Sequence, residues 1–134
     1  MSVCAEWKDY YSVGDESLDA QHKQIIGMIN EVWAAVQKGD DRRAVQSVLD
    51  RLVLYTLAHF RHEEWIMAEC EYPDVAQQKA MHDTIRRKTL ALRENASLLT
   101  GRDVLQFLKE WWIDHIQGED KKYAPYLELS GSRR

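Results

Sequence analysis

The chain has 134 residues and a formal net charge of −4, with a sequence pI ≈ 5.7. This length suits one domain over residues 1–134, and an acidic chain without a basic stripe argues against nucleic acid and acidic membranes as partners. No apolar stretch approaches the length of a membrane span, and no basic region with an apolar run follows Met1, so we expect a cytoplasmic protein. Cys4 and Cys70 match no Cys-x-x-Cys spacing, which favours reduced thiols over the alternative, a redox pair.

The N-terminal part of the chain divides into an arm and a first helix. Residues 1–16 are rich in aromatic side chains but lack a helical period, which predicts an arm packed on the body. From residue 18 to residue 36, apolar residues recur at spacings of three and four, as in an amphipathic helix. Gly39 is expected to end this helix. His22 falls within its apolar stripe.

Three more stripes of the same period follow, over residues 45–67, 78–99 and 104–115. The connections between them are short. Four long helical periods joined in this way predict an all-α fold, an antiparallel up-down-up-down four-helix bundle. We expect the bundle to occupy residues 17–121, and residues 122–134 to form a short C-terminal segment that packs through its tyrosines and then frays.

Polar residues interrupt these apolar stripes. Four of the five histidines, one in each stripe, are predicted to face inward. A single histidine in such a stripe is more often a satisfied core residue, but a buried imidazole without a partner costs on the order of a few kcal/mol. Four of them therefore require a reason. On the second helix, His59 and Glu63 are four residues apart and share one face, which is how a helix holds a metal.

The fourth stripe supplies a second nitrogen and oxygen pair, His115 and Asp120. Five residues turn an ideal helix by about 140°, which would separate the two groups. A π-type widening near Gly118, or the end of the helix there, would bring both to the centre. Glu119, at the regular spacing of four, is the competing carboxylate.

These donors indicate a class of metal. Imidazole and carboxylate without thiolate suit iron, manganese or zinc, and carboxylates from two helices favour two ions.

His62 points about 60° away from His59 and is expected on the solvated face. Glu64 is interpreted as a surface charge. The chain has no glycine-rich phosphate loop, no nucleophile with a base at recognisable spacing and no Cys/His zinc-finger pattern, and each absence removes an enzyme class.

Three segments together resemble the bacterial hemerythrins, or bacteriohemerythrins, which are non-haem diiron proteins that bind dioxygen reversibly. The resemblance covers nearly the whole chain. The segments are WKDYYSVGDESLDAQH at Trp7 to His22, HFRHEE at His59 to Glu64 followed by Tyr72 and Pro73, and WWIDHIQGED at Trp111 to Asp120.

The resemblance implies two non-haem iron ions with a bridging oxygen, and dioxygen as their ligand. His22 and His59 resemble ligands of the iron that receives dioxygen. The expected metal ligands as a whole are His22, His59, Glu63, His82, His115 and Asp120, in which His82 and His115 serve the other iron and the two carboxylates bridge the pair.

Two positions bear on how closely the chain follows this pattern. Where the family has a histidine four residues before His82, the chain has Gln78, a weak or lost ligand. The resemblance therefore implies a second open position, unless the amide oxygen of Gln78 coordinates. Where the family usually has leucine over the dioxygen pocket, the chain has Trp112, and we expect Trp112 and Ile25 to line that pocket.

The function implied by the resemblance is reversible dioxygen binding by an oxygen carrier, storage or delivery protein that is not an enzyme. One alternative is an oxygen, redox or iron sensor that acts on an unidentified protein partner. Another is a diiron enzyme that turns over peroxide or nitric oxide at its extra open position. The last is a helical bundle that has lost stable iron binding.

Overall fold

The computed structural model describes residues 6–39, 41–113, 115 and 120–130, with side chains for all of these except 111, 113, 120 and 128–130. The long helices are α1 (Glu16–Gln37), α2 (Arg42–Glu69), α3 (Val75–Glu94) and α4 (Gly101–Leu108), and α4 continues as a π-helix over Lys109–Ile113. A short α5 (Ala124–Ser130) ends the described chain. Single 3₁₀ turns cover Asp9–Tyr11, Ala96–Leu98 and Asp120–Tyr123.

The helices form one bundle. Helix α1 packs against α2 and α4, and α2 packs against α3. The connections from α1 to α2 and from α2 to α3 are a few residues long, so consecutive helices run antiparallel. Neither a strand nor a helix long and apolar enough to cross a membrane occurs among the described residues. The predicted all-α four-helix bundle is confirmed.

Side-chain caps explain where the helices begin. The Asp15 carboxylate accepts a hydrogen bond from the Leu18 backbone N–H, 3.0 Å away, at the start of α1. Asp41 caps α2 in the same way, and Thr100 forms a capping box with Asp103 at α4. These bonds satisfy backbone donors that have no partner inside the helix, and so they set the helix boundaries.

Two apolar clusters fill the bundle. The main cluster draws mostly on α1, α2 and α4, and its fully buried members include Ile25, Ile29, Leu49, Leu52, Leu108 and Trp112. The second cluster joins the N-terminal arm, the end of α2 and the C-terminal segment through Val13, Leu18, Met67, Tyr123 and Leu127. Along α2, Glu63 lies between Phe60 of the main cluster and Met67 of the second. A polar group at this position is enclosed by apolar side chains on both sides.

Several expectations about the chain ends can be compared with the structure. Residues of the arm do pack on the body, since Tyr11 and Val13 are buried. The C-terminal segment is a 3₁₀ turn and α5, in which Tyr123 is buried. The widened helix expected near Gly118 begins earlier, at Lys109, whereas Gly118 itself lies outside the described residues. Cys70 is a buried free thiol, and Cys4 lies outside the described residues.

Candidate metal centre

Four inward histidines and one glutamate meet in the middle of the bundle. His22 lies on α1, His59 and Glu63 on α2, and His82 on α3, while His115 is itself π-helical and follows the π-helix that extends α4. Each histidine is at most 6% exposed, and Glu63 is fully buried. A π-helix inserts an extra residue into a turn and is frequent at functional sites. Here it precedes the segment that carries His115.

Glu63 is the centre of this group. The Nε2 atom of His82 lies 2.8 Å from Glu63 Oε1, and that of His59 lies 3.9 Å from the same oxygen. The Nε2 atom of His22 lies 3.5 Å from the other oxygen, Oε2. The donors form two sets, in each of which the ligand atoms lie within 4.8 Å of one another. The first contains His22, His59 and Glu63, and the second contains Glu63, His82 and His115.

The rings of His59 and His82 each form a hydrogen bond on the side away from Glu63, and these bonds fix which ring nitrogen faces Glu63. The Nδ1 atom of His59 lies 2.7 Å from the amide oxygen of Gln21, which can only accept. His59 therefore carries its proton on Nδ1. In the neutral ring, Nε2 is then a bare lone pair directed at Glu63. The Nδ1 atom of His82 lies 2.8 Å from the Glu64 carboxylate and donates to it in the same way.

This arrangement fits a metal ion. His82 Nε2 and Glu63 Oε1 are buried and 2.8 Å apart, and neither atom has another hydrogen-bond partner within the described part of the chain. Two atoms with lone pairs at that distance repel each other unless a proton or a metal cation lies between them, and a buried polar atom without a partner costs about 1–3 kcal/mol. Nitrogen and carboxylate donors without sulfur suit iron, manganese or zinc.

The charge on Glu63 is also suited to a metal. Burial alone would raise the pKa of Glu63, but the neighbouring imidazoles of His59, His22 and His82 hold that pKa well below its ordinary value. Glu63 is therefore a carboxylate. Its Oε2 accepts a hydrogen bond of 2.6 Å from the hydroxyl of Tyr123, which is itself fully buried.

Aromatic rings close one side of the centre. Phe60 stacks on His82, with ring centroids 3.9 Å apart and planes 3° from parallel. Trp112 stacks on Phe60 with centroids 5.5 Å apart. Trp112 is fully buried, and its indole N–H has no acceptor within the described part of the chain. Ile25 is also fully buried, in the apolar cluster that contains both rings.

Two of the expected positions are Gln78 on α3 and Asp120 at the start of the C-terminal segment. Gln78 is 1% exposed and lies on α3, one turn before His82. Burial and the charge of Asp74 raise the pKa of Tyr72, and a hydrogen bond with the Gln78 side chain opposes that rise. A contact that lowers the pKa of a phenol is a donor, so the Gln78 amide N–H is the group that faces Tyr72. The backbone of Asp120 begins a 3₁₀ turn, but its side chain lies outside the described part.

His62 is not in either donor set. It is half-buried, and its Nε2 lies 2.9 Å from the hydroxyl of Ser17. The sequence analysis did not predict three residues that contact the donors, namely Gln21, Glu64 and Tyr123. The interpretation of Glu64 as a surface charge is wrong, because its carboxylate is bound to His82. Gln21 directly precedes a ligand candidate and Glu64 directly follows one, and this adjacency is the signal that would have indicated them.

Comparison with known proteins agrees with this geometry. A family profile described as the hemerythrin HHE cation binding domain matches residues 13–127. The chain belongs to the hemerythrin family. A bacteriohemerythrin of Stenotrophomonas maltophilia is 35% identical over 124 residues, which are 91% of this chain and 80% of that protein. A bacteriohemerythrin of Pseudomonas aeruginosa is 33% identical over 128 residues, covering 94% and 83% of the two chains.

Solved structures and a eukaryotic relative extend the comparison. A hemerythrin-like protein of Naegleria gruberi is 31% identical over 121 residues, covering 90% of this chain and 92% of that one. The crystal structure of wild-type hemerythrin superimposes with a TM-score of 0.81 at 29% identity, covering 92% and 98% of the two chains. The predicted hemerythrin family is therefore confirmed. Hemerythrins bind non-haem iron and dioxygen, and this chain contains histidine and glutamate groups that could hold the metal.

The hydroxyl of Tyr123 provides a test of how far Glu63 depends on its neighbours. Tyr123→Phe removes a hydrogen bond to a buried carboxylate, so the free energy of unfolding should fall by about 1.5–3 kcal/mol. Tyr126→Phe is the matched control, since Tyr126 is only half-buried in the same segment, and it should change stability by less than about 0.5 kcal/mol. Urea unfolding of the proteins in the same metal state measures both. Equal losses would show that the contact with Glu63 contributes nothing.

Proposed function

We propose that the chain holds two non-haem iron ions, one on each side of Glu63, and binds dioxygen reversibly as an oxygen carrier, storage or delivery protein. The observation that carries this proposal is that two sets of buried donors share one carboxylate. His22 and His59 would hold one ion, and His82 and His115 the other. Glu63 would bridge them, together with Asp120, as the resemblance to bacterial hemerythrins implies.

The residues of the chain prepare the site for this role. Bound iron would supply the coordination positions and the electrons that reversible dioxygen binding requires. Glu63 contributes a fixed negative charge, because it remains ionised in a fully buried position. His59 and His82 present Nε2 to the centre, because their Nδ1 atoms face Gln21 and Glu64. The ligands therefore need little rearrangement on binding metal.

The apolar wall favours a carrier over an enzyme. The ring of Phe60 contacts His59, His82 and His115, and Phe60 belongs with Trp112 and Ile25 to one buried apolar cluster that excludes water. Exclusion of water slows the side reactions that would consume a bound oxygen molecule. The indole N–H of Trp112 adds one buried donor to an otherwise apolar surface. These features support retention and release of the ligand rather than turnover.

Gln78 is the feature that favours the second candidate, an enzyme that turns over peroxide or nitric oxide. A neutral amide is a weaker ligand than imidazole, so Gln78 would hold an ion less firmly than the histidine that the resemblance implies at this position. A position on the His82 side that Gln78 does not fill would admit water or another small molecule. We therefore expect this protein to oxidise faster than a chain with histidine at that position.

Reversible colour is the direct test of the carrier role. The protein is loaded with ferrous iron without oxygen, exposed to oxygen and then degassed, while the visible spectrum is recorded through several cycles. We expect a colour that appears with oxygen and disappears on its removal. Glu63→Gln should lose most of the iron and the colour, since it removes the shared carboxylate, whereas His62→Ala should keep both. Colour that cannot be reversed would indicate a sensor or an enzyme, and no colour a bundle without stable iron.

The effect of Gln78 is measured by the rate of oxidation to the diferric form. Gln78→His adds an imidazole at a buried position one turn before His82, so its oxygen-bound form should decay severalfold more slowly than that of the wild type. Gln77→His is the matched control, because Gln77 is exposed on the same helix, and it should decay at the wild-type rate. Equal or slower decay in the wild type than in Gln78→His would contradict this assignment.

A further inference from the structure

The Nδ1 atoms of His59 and His82 face away from Glu63, and their hydrogen-bond partners differ in charge. The Nδ1 atom of His59 donates to Gln21, a neutral amide, over 2.7 Å. The Nδ1 atom of His82 donates to Glu64, a carboxylate, over 2.8 Å. The two donor sets are otherwise matched, since each consists of two histidines and the shared Glu63. His82 and His59 therefore differ in the charge of the group behind each ring.

The carboxylate of Glu64 acts on His82 with little competition. Glu64 lies at an open cleft of about 330 Å³ between α2 and α3, which Arg61, Lys79 and Arg86 also line. Within the described part of the chain, however, the one ion pair of Glu64 is with His82. Arg86 is instead paired with Asp83. The side chain of Glu64 is 23% exposed, so its charge is only partly screened by solvent.

Two contacts hold the His82 ring in place. The Glu64 carboxylate binds one edge of the ring, and Phe60 stacks on one face with centroids 3.9 Å apart. Since the Nδ1–H of His82 donates to Glu64, Nε2 is the nitrogen that faces Glu63 Oε1 at 2.8 Å. A hydrogen bond to a charged acceptor is roughly twice as strong as one between neutral groups. It also transfers more electron density to the ring, and so makes Nε2 a stronger donor to a metal.

We propose that Glu64 is a positioning residue that strengthens His82 as a ligand, so that the ion held by Glu63, His82 and His115 is stabilised by a carboxylate, whereas His59 of the other donor set has the neutral amide of Gln21 behind its ring. The proposal rests on the proposed function. A stronger bond from His82 would also offset part of the ligand strength that Gln78 does not supply on this side of the centre. Gln21 is the neutral counterpart of Glu64 in the other half.

Binding of Co²⁺ to the metal-free protein tests the proposal without dioxygen chemistry. Equilibrium dialysis with visible absorption should resolve two binding steps in the wild type. Glu64→Gln keeps an acceptor for His82 but removes its charge, so it should weaken one step by about 10- to 100-fold and leave the other within about twofold. Glu69→Gln removes an exposed charge from the same helix and should change neither step.

The reciprocal variant gives an independent result. Gln21→Glu places a carboxylate behind His59, so it should tighten the step that Glu64→Gln leaves unchanged, by up to about tenfold. This variant keeps the proposal testable if Glu64→Gln folds poorly. A variant of the same size at an exposed position of α1, Gln24→Glu, is its control.

A spectroscopic measurement separates donor strength from a merely structural role. In the Co²⁺ protein, the ring N–H protons of bound histidines give shifted proton resonances that exchange with water. The resonance of His82 should move and exchange faster in Glu64→Gln, while that of His59 stays in place. Unchanged resonances and unchanged affinities in Glu64→Gln would overturn the proposed role of Glu64 and leave the proposed function standing. A wild type that takes up no Co²⁺ would overturn both this proposal and the proposed function.

Discussion

A carboxylate buried among imidazoles is the constraint on which the rest of this structure depends. Glu63 is fully buried and ionised, and its two oxygens lie within 4 Å of three histidine Nε2 atoms. Removing such a charge from water costs several kcal/mol even after relaxation, so it persists only where opposite charge and hydrogen bonds offset that cost. The Tyr123 hydroxyl provides one such bond. A bound cation would provide the largest compensation.

The bundle is built around this requirement. Donors from four successive helical segments reach one point because consecutive helices are antiparallel and short connections keep them adjacent. Apolar clusters on both sides of Glu63 exclude water and hold the rings in fixed positions. Because this enclosure keeps water away, the charge of Glu63 is costly to bury unless a cation compensates it. Binding free energy at a site of this kind is also folding free energy, so metal loading and stability are coupled.

The repeat of apolar residues was sufficient to predict the four helices, and the position of His22, His59 and Glu63 within the stripes was sufficient to predict that they face inward. The residues that form hydrogen bonds to these donors were not predictable in the same way. Gln21, Glu64 and Tyr123 act on residues of other segments, and such contacts depend on the distance between helices rather than on spacing within one. The π-helix begins at Lys109, and no local sequence pattern predicts that position. The position of the Asp120 side chain remains an expectation from the resemblance.

The central claim is that two iron ions lie on either side of the Glu63 carboxylate. X-ray diffraction from crystals of the iron-loaded protein, with data collected on both sides of the iron absorption edge, tests it most directly. The account predicts two anomalous peaks, one next to His22 and His59 and the other next to His82 and His115. A single peak, peaks elsewhere in the chain, or no anomalous signal from a protein loaded with iron would contradict it.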